Sequence, residues 1–509
     1  MLNQGDVKIH DSFSVACIFN RFYTSVAADL VSKLPSPTGM FDTASLAFKR
    51  FYSRFTHPSH SFTLTPVSCG FILKQLRSLN PNKAIGLDGV SSRFLRDGAD
   101  VIAEPVCHLV NMSILTETVP SGFKSAKVVP LFKKGSKLEP GNYRPVSILN
   151  VLSKVLERAV HCQLVDHLKA KNVLYKNQSG FRGSFSTDSC LVGLSDYVGQ
   201  MGKGNLVGMV LIDLQKAFDT VDHEILLSKL QAIGVTSVSW FRSYLSDRQQ
   251  CVEVGNALSD FLSVTCGVPQ GSILGPQLFL IYINDMCNSV QCNLSLYADD
   301  SALVFAHKDP QFISSHLSSQ LTTCKRWLID NKLSLHVGKT ECIVFGTRRR
   351  LKKVIAFQVT CEGSLVNQVT NVTYLGVKLD ENMDGRAHAV SLVKKCAGRM
   401  AFLFRNSGLL SYQNRKTLCS ALVQPYLDYC SSSWYSSLTR QLKDRLNVIQ
   451  RRMVRFINGY HHMHHVGSVD LKRLSWLMLK IVSDSLSSFM FLESDPALPQ
   501  ATLPTILFQ

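Results

Sequence analysis

The sequence predicts a multi-lobed α/β body that is followed by a helical segment. Three patterns predict it: a continuous apolar run at 206–214, an apolar–acid–acid–apolar stretch at 294–306, and a mainly helical pattern from Tyr374 to about residue 458. The first is typical of a strand buried on both faces, and the second suits a hairpin with a tight turn at the acids. Mixed strands and helices before an all-helical end favour an α/β body with a helical appendage.

The first 205 residues carry weaker patterns. Residues 1–60 are expected to be irregular, and residues 53–66, rich in Ser, Thr, His and Pro, are expected to form a linker. Two helical segments are predicted between 71 and 118. A short strand is predicted at 127–132, and apolar residues at helical spacing predict a helix over 148–168.

A helix is predicted over 220–233, directly after the apolar run. Asp219 is expected to cap it, because Asp222 follows three residues later as in a capping box. The same interpretation assigns both acids to the helix start and not to a metal ion. Two further strands and one more helix are predicted at 249–254, 261–266 and 276–286.

Composition limits the class of protein. The 509 residues include 45% hydrophobic residues, which excludes disordered and collagen-like chains. A formal net charge of +18 predicts an acidic partner, most often nucleic acid. Fifteen cysteines without a C-x-x-C pair indicate reduced thiols, and no apolar run reaches the ~20 residues of a membrane span. We therefore expect an intracellular soluble protein, cytoplasmic or nuclear or both, without a membrane partner.

The candidate chemistry lies in acids at strand ends. Asp213 ends the apolar run, and Asp299 and Asp300 lie at the tip of the predicted hairpin. Carboxylates beside apolar strands are costly unless a cation compensates them, and hard divalent cations prefer oxygen ligands. Two such ions ~3.5–4 Å apart can activate a hydroxyl and stabilise a leaving pyrophosphate. The alternative is that all three are ordinary loop or cap acids.

These residues resemble a known family. Residues 297–300 (YADD) resemble the catalytic hairpin of reverse transcriptases, and 211–218 (LIDLQKAF) their first catalytic strand. Residues 267–276 (GVPQGSILGP) are similar to the template- and nucleotide-contacting segment of non-LTR (LINE-type, jockey-like) retrotransposon polymerases. Three more blocks follow the family's order, at 83–89 (KAIGLDG), 133–135 with 142–147 (KKG, NYRPVS), and 178–183 (QSGFRG).

The resemblance implies a right-hand polymerase with an α+β palm, fingers and a helical thumb. The expected divisions are an N-terminal linker or remnant (1–70), an N-terminal extension with the fingers (71–205), the palm (206–380), the thumb (381–460) and a C-terminal tail (461–509). The reverse transcriptase domain as a whole would span about 110–380.

The resemblance also implies a metal site and a proton donor. Asp213 and Asp299 would bind two Mg²⁺ ions, with Mn²⁺ as an alternative. Asp300 would assist, and the backbone carbonyl of Leu214 would be a further ligand. Lys339 resembles the lysine that protonates pyrophosphate, although a plain surface lysine is the competing interpretation.

Other positions would bind substrates. Phe218 corresponds to the residue that excludes a ribose 2′-hydroxyl, with core packing as the alternative. Gln270 and Gly271 would lie against the template and the incoming base. The residues implied to hold the triphosphate or border the nucleotide are Lys133, Arg144 and Arg182; a solvated basic turn is the alternative for the first two.

A second hairpin and two helices would hold the primer. The primer grip would be Tyr374, Leu375 and Gly376. Basic clusters on two later helices suit phosphate contacts or, equally, a solvated helix face: Lys394, Lys395, Arg399 and Arg405 on one, and Arg451, Arg452 and Arg455 on the other.

The implied function is RNA-directed DNA polymerisation with an RNA template, a DNA or RNA primer and dNTPs. The competing hypothesis is a catalytically inactive remnant that binds RNA or DNA. The matched template-side segment disfavours a template-independent nucleotidyltransferase. Complete elements of this kind usually carry an endonuclease before the polymerase, and residues 1–60 are too short for one. The sequence therefore resembles the polymerase segment of an element, and the two alternatives are a truncated copy and a polymerase with a separate endonuclease as partner.

Overall fold

The computed structural model describes residues 2–4, 7–35, 46–55, 61–199, 204–354 and 356–474. The chain divides into two compact units. Unit 1 comprises residues 1–181, 213–291 and 322–336, and unit 2 comprises residues 182–212, 292–321 and 337–509. None of the described helices is long and apolar enough to cross a membrane. Part of the predicted linker, 56–60, and most of the predicted tail, 475–509, lie outside the described residues.

The described α-helices are α1 Ser12–Ser32, α2 Leu46–Tyr52, α3 Cys69–Arg77, α4 Ser92–Asp97, α5 Ala99–Leu115, α6 Val151–Ala170, α7 Thr187–Val198, α8 His223–Ala232, α9 Val238–Leu245, α10 Leu274–Ile283, α11 Pro310–Asp330, α12 Arg348–Leu351, α13 Arg386–Arg405, α14 Tyr412–Leu422, α15 Gln424–Asp428, α16 Ser431–Trp434, α17 Arg440–Asn458 and α18 Ser468–Arg473.

The described strands are β1 Leu2–Gln4, β2 Val7–Ile9, β3 Ser125–Phe132, β4 Tyr143–Ile148, β5 Leu206–Ile212, β6 Arg248–Val254, β7 Ala257–Leu258, β8 Leu262–Val264, β9 Asn293–Tyr297, β10 Asp300–His307, β11 Glu341–Phe345, β12 Thr360–Cys361, β13 Ser364–Leu365, β14 Asn367–Gln368, β15 Asn371–Tyr374 and β16 Val377–Asp380.

The expectation of an irregular N-terminus is wrong for the segment that forms α1. Asp11 caps this helix by accepting a hydrogen bond from the Ser14 amide at 2.8 Å. Val15, Phe19 and Tyr23 are buried, and because they lie four residues apart they form a stripe on one face of the helix. The helix packs against β6, so its apolar face is covered inside unit 1.

Unit 1 contains a mixed sheet in the order β4-β3-β6-β7, with β8 also paired to β6. The predicted strand at 127–132 and the predicted helix at 148–168 are confirmed as β3 and α6. The region 71–118 contains three helices, α3, α4 and α5, and not the two that were predicted. The reason is Gly98, which ends α4 and begins α5.

Unit 2 contains a second sheet in the order β14-β11-β5-β10-β9. The predicted buried strand is β5, with six of its seven residues buried, at the centre of this sheet. β10 runs antiparallel to it, so that Leu206 pairs with His307 at one end and Ile212 with Ser301 at the other. Gly208 lets α11 approach closely, since a Cβ there would lie 2.4 Å from Ile313.

The C-terminal part of unit 2 is helical, but the helices begin later than predicted. Tyr374 ends β15, and β16 follows before α13 begins at Arg386. Leu375 and Gly376 form the two-residue turn, and their φ values of 46° and 80° are those of a hairpin turn that matches strand twist. α13 packs against α17 and β16, which joins the helices to the hairpin in one hydrophobic core.

Candidate active site

The acids at 299 and 300 lie at a tight hairpin turn, as predicted. β9 and β10 pair up to Tyr297 and Asp300, leaving Ala298 and Asp299 as the two turn residues. Ala298 has a φ of 55°, in the left-handed region, which is uncommon for a residue with a side chain. Asp299 is half-buried and Asp300 is exposed.

Asp213 is the residue that follows β5, whose last residue Ile212 pairs with Ser301. Within unit 1 the carbonyl of Asp213 accepts a hydrogen bond from the His336 amide at 2.8 Å. Leu214 bridges to Leu335 in antiparallel fashion. Because backbone groups alternate along a strand, the Leu214 carbonyl is directed away from this bridge.

The cap prediction for Asp219 is wrong. Asp222 caps α8, by accepting a hydrogen bond from the Ile225 amide at 3.0 Å. Asp219 instead accepts a hydrogen bond from the side-chain amide of Gln270 at 2.7 Å. Burial raises the pKa of the Asp219 carboxyl, against the lowering effects of Gln270, Lys216 and Arg144. Spacing alone could not distinguish the two acids, because either can precede a helix.

The loop that carries Gln270 and Gly271 lies directly against β4. The Ser147 amide donates a hydrogen bond to the Gln270 carbonyl at 2.7 Å. Gly271 has a φ of 138°, and a Cβ there would lie 2.2 Å from the Ser147 carbonyl oxygen. Glycine is therefore required at this position by both conformation and space.

Phe218 lies in an aromatic stack. Its ring is parallel to that of buried Phe279 at 4.3 Å between centroids and edge-on to exposed Phe181 at 6.2 Å. The Phe218 carbonyl accepts a hydrogen bond from the Val268 amide, so this segment and the Gln270 loop are paired through the backbone. The ring itself is partly accessible.

The predicted phosphate-binding cations lie on three different elements. Lys133 closes the β3–β4 hairpin through its amide, which donates to the Asn142 carbonyl, and Arg144 lies on β4; both side chains are exposed. Arg182 lies 4.1 Å above the ring of Phe185, and burial lowers the pKa of its guanidinium. Lys339 is exposed at the end of a short 3₁₀ turn before β11.

The predicted primer-grip residues lie beside β9. The Tyr374 hydroxyl is 3.4 Å from Ser295 Oγ and 3.8 Å from Cys190 Sγ, and Tyr374 is only 3% exposed. The Tyr429 hydroxyl donates to the Leu375 carbonyl at 2.8 Å. The β15–β16 hairpin is thus fixed to the strand that leads to Asp299.

The predicted basic helices exist, but their cations differ in environment. Arg399 on α13 donates to the Leu422 carbonyl at 2.6 Å and to the Tyr426 hydroxyl at 2.8 Å. Arg455 on α17 donates to the His464 carbonyl at 2.9 Å. Arg451 is exposed on α17. Arg399 and Arg455 therefore have structural contacts that the solvated-face interpretation did not include.

Sequence reasoning missed Glu157, whose carboxylate accepts a hydrogen bond from the loop that carries Gln270. This side chain is 2% exposed on α6; one carboxylate oxygen accepts from the Ile273 amide and the other from the Tyr244 hydroxyl. Burial raises the pKa of the Glu157 carboxyl. An acid on the apolar stripe of α6 was the available signal, since charged residues are rarely fully buried without a partner.

The candidate metal ligands are all oxygen atoms. Among the residues that the structure describes, no group of three or more His, Cys, Asp or Glu side chains could hold a metal ion. Carboxylates and a backbone carbonyl are nonetheless the donor types that Mg²⁺ uses, often only one or two carboxylates together with substrate phosphates.

Comparison with known proteins finds a family match within the chain and several similar proteins. Residues 132–379 match the family described as "Reverse transcriptase (RNA-dependent DNA polymerase)". The chain is 28% identical over 421 residues to a probable RNA-directed DNA polymerase from transposon BS of Drosophila melanogaster, covering 78% of this chain and 45% of that protein. It is 27% identical over 408 residues to the RNA-directed DNA polymerase from mobile element jockey of Drosophila funebris, covering 77% and 44%.

The chain spans less than half the length of these relatives. The matched family segment contains every predicted site residue from Lys133 to Gly376. A reverse transcriptase domain implies a palm-type polymerase fold, which the mixed α/β structure is consistent with, and the family generally uses divalent metal ions. Residues 132–379 therefore form a reverse transcriptase domain, and over more than three quarters of its length the chain is similar to RNA-directed DNA polymerases of mobile elements.

Proposed function

We propose that this chain is an RNA-directed DNA polymerase that extends a primer 3′-hydroxyl with dNTPs. The hydroxyl oxygen attacks the α-phosphorus of the dNTP, a new phosphodiester bond forms, and the bond to the pyrophosphate oxygen breaks. Its substrates are an RNA template, a DNA or RNA primer and dNTPs. Positioning and charge neutralisation do most of the work in such transfers.

The register of β5 and β10 carries this proposal. Ile212 pairs with Ser301, so the strand that ends immediately before Asp213 lies beside the strand that begins immediately after Asp299. The two acids are 86 positions apart in sequence, and the pairing gives a physical reason for them to act together. We propose that they share divalent ions, with Asp300 assisting.

The proposed metal ligands are the carboxylates of Asp213 and Asp299 and the carbonyl of Leu214. Two Mg²⁺ ions, or Mn²⁺, would supply Lewis-acid activation of the primer hydroxyl and stabilise the leaving pyrophosphate. The chain's own contribution is to fix the donors: the β9–β10 turn holds Asp299, and the Asp213 carbonyl is hydrogen-bonded to His336. Lys339 is the proposed proton donor to pyrophosphate.

We propose the right-hand arrangement for the described elements. The sheet around β5 corresponds to the palm (206–380), the β3–β4 region to the fingers within 71–205, and α13–α17 to the thumb (381–460). Residues 1–70 would precede the polymerase, and 461–509 would form a tail. The proposed nucleotide contacts are Lys133, Arg144, Arg182 and Phe218, the proposed template contacts are Gln270 and Gly271, and the proposed primer grip is the turn at Tyr374, Leu375 and Gly376.

The test is primer extension on an RNA template with the purified chain and Mg²⁺. Asp213→Asn and Asp299→Asn should each lower extension at least ~100-fold, because removing a ligand of a catalytic ion costs several kcal/mol of transition-state stabilisation. Asp196→Asn is the matched control, since Asp196 is an exposed acid on α7, and it should retain full activity.

The competing proposal is a remnant that binds nucleic acid without polymerising. If the unaltered chain binds a primer–template with the expected salt dependence but extends nothing with Mg²⁺ or Mn²⁺, that proposal is correct. Extension that survives in Asp299→Asn would instead contradict the role of the hairpin acids.

A further inference from the structure

A basic cleft lies at one edge of the unit 2 sheet and plays no part in the proposed polymerisation. Its volume is about 620 Å³, and its cations are Lys308, Arg349, Arg350 and Lys353. Lys308 follows β10, and the other three lie in and after α12, which follows β11. Two elements that are 40 residues apart in sequence therefore contribute charge to one concavity.

These cations are not compensated within the protein. In the described part of the chain, none of the four has an ion-pair partner, whereas neighbouring Arg348 pairs with Asp384 at 3.1 Å. The adjacent acid Asp309 accepts a hydrogen bond from the Gln311 amide at the start of α11. Four like charges around one cleft repel one another, and a polyanion would relieve that repulsion.

The cleft also has surfaces for sugars and bases. Leu206, Pro310 and Val354 give it apolar walls. Phe312, two residues after Pro310, is 47% exposed and lies 4.5 Å from the ring of His307. Phe312 does not line the cleft itself, but it lies on the same helix as the lining residue Pro310 and contacts His307, which pairs with the lining residue Leu206. Proteins that bind single-stranded nucleic acid combine such exposed rings, on which bases stack, with cations that contact the phosphates.

The cleft is at the opposite end of the sheet from the hairpin acids. Leu206 pairs with His307 at the cleft end of β5, and Ile212 pairs with Ser301 at the other end. Six residue steps along a strand correspond to about 20 Å. A nucleic acid bound at the cleft is therefore too far from the Asp299 turn to be the primer end that the polymerase would extend.

We propose that this cleft is a second binding site for single-stranded nucleic acid, reading the phosphodiester backbone through its four cations and one base through Phe312. The site does not depend on the chain being an active polymerase. A basic run can also serve as a linear signal for a transport carrier, but here 348–351 is folded into α12 and Leu351 packs close to Gly346. That fold favours a shaped nucleic-acid site over an extended peptide signal.

The test is binding of a fluorescent 20-nucleotide RNA to the full chain whose polymerase site is saturated with a hairpin primer–template. Wild type should still bind the RNA. Arg349→Gln/Arg350→Gln/Lys353→Gln should bind at least tenfold more weakly, with a log–log salt slope smaller by up to about 2, from ~0.7 per lost phosphate contact. The control Lys33→Gln/Lys74→Gln/Lys176→Gln removes three exposed cations from unit 1 and should bind like wild type.

A second variant tests the aromatic contact. Phe312→Ala should weaken RNA binding about tenfold without changing the salt slope, since stacking is not a counterion effect. Phe94→Ala, which removes another exposed phenylalanine, is its control. All variants should unfold at the wild-type urea midpoint, which shows that they fold whether or not the chain polymerises.

The outcomes separate the alternatives. Equal loss with RNA and with DNA of the same sequence identifies the phosphate backbone as the ligand, and loss with RNA alone identifies a ribose contact; both support the site. Equal RNA affinity in wild type and the triple variant overturns it. If the triple variant binds RNA normally but no longer accumulates in nuclei, the run is a transport signal and the proposal is wrong.

Discussion

The side-chain amide of Gln270 donates a 2.7 Å hydrogen bond to the carboxylate of Asp219, 51 residues earlier in the chain. The second carboxylate oxygen of Asp219 is buried and has no hydrogen-bond partner among the described residues. Since the Gln270 carbonyl is held by the Ser147 amide, both ends of this residue are fixed. Asp219 is thus a positioning residue for the proposed template contact.

A graded series at position 219 tests this role. Asp219→Asn keeps an oxygen that can accept from Gln270 and should retain most activity. Asp219→Leu leaves the amide unpaired, which costs ~1–3 kcal/mol, and should lower kcat/KM for dNTP incorporation about 5- to 150-fold. Steady-state primer extension with single dNTPs measures both.

The matched control is Asp222→Asn. This variant keeps an oxygen that can accept from the Ile225 amide, but it removes the ion pair with Lys332 and the negative charge at the start of α8, so the unfolding midpoint should fall while dNTP incorporation is unchanged. Equal kinetic losses in Asp219→Leu and Asp222→Asn would show that position 219 acts through stability alone.

Phe218→Val distinguishes a sugar gate from packing. If the partly accessible ring lies under the incoming sugar, the smaller side chain should admit ribonucleotides ~10- to 100-fold better, since a steric clash costs ~1–3 kcal/mol. Competition between dNTP and rNTP in primer extension measures the preference. Phe279→Leu, which removes the stacking partner, should not change it; the same rNTP gain in both variants would identify Phe218 as a packing residue.

The buried ion pair of unit 1 should be costly to break. Lys229 is 0% exposed, and its Nζ lies 2.7 Å from Asp285 and 2.6 Å from both the Tyr282 carbonyl and Asn331. Lys229→Met leaves an uncompensated carboxylate and should destabilise unit 1 by about 3–5 kcal/mol. Urea unfolding should show that adding Asp285→Asn recovers part of this loss; purely additive losses would contradict the coupling.

The stability of unit 2 should depend on pH through His388. This imidazole accepts a hydrogen bond from the Lys378 amide at 3.2 Å, and burial, with the charges of Lys395 and Lys378, lowers its pKa from 6.5 to about 4. The folded state therefore favours the neutral ring. The stabilisation is present above pH 6.5 and is lost as pH falls through about 4, at a cost approaching about 3 kcal/mol.

His388→Asn provides the comparison, because its amide oxygen can accept from Lys378 without titrating. Its unfolding midpoint should be lower than wild type at pH 7 and should change less between pH 6.5 and 4. Parallel pH profiles for the two proteins would mean that another group is responsible.

Local patterns correctly predicted the strands and helices whose apolar residues follow one regular spacing. The apolar run of β5, the acid-tipped β9–β10 hairpin and the stripe of α6 need only periodicity to be recognised. The pattern failed where two residues of the same type compete for one role. Asp219 and Asp222 both suit a helix cap, and only the distant Gln270 loop decides between them.

The same limit applies to the site. Acids at 213 and 299 could be proposed from strand ends, but the pairing of β5 with β10, which puts Ile212 opposite Ser301, joins segments about 90 residues apart and cannot be derived from local pattern. Glu157 was missed because its partners, the Ile273 amide and the Tyr244 hydroxyl, are about 90 residues or more away. α1 was missed because most of its 21 residues are of types with low helix propensity, chiefly Ser, Val and Phe.

The buried Tyr374 hydroxyl has a consequence for the order of events. It joins the β15–β16 hairpin to Ser295 on β9, which leads directly into the Asp299 turn. The spacing of the two hairpin turns is therefore established when unit 2 folds, and its conformational entropy is lost at that stage. A primer end held at Gly376 would therefore bind at a fixed distance from Asp299. Binding would not have to order the two turns, so that entropic cost would not reduce the affinity for the primer.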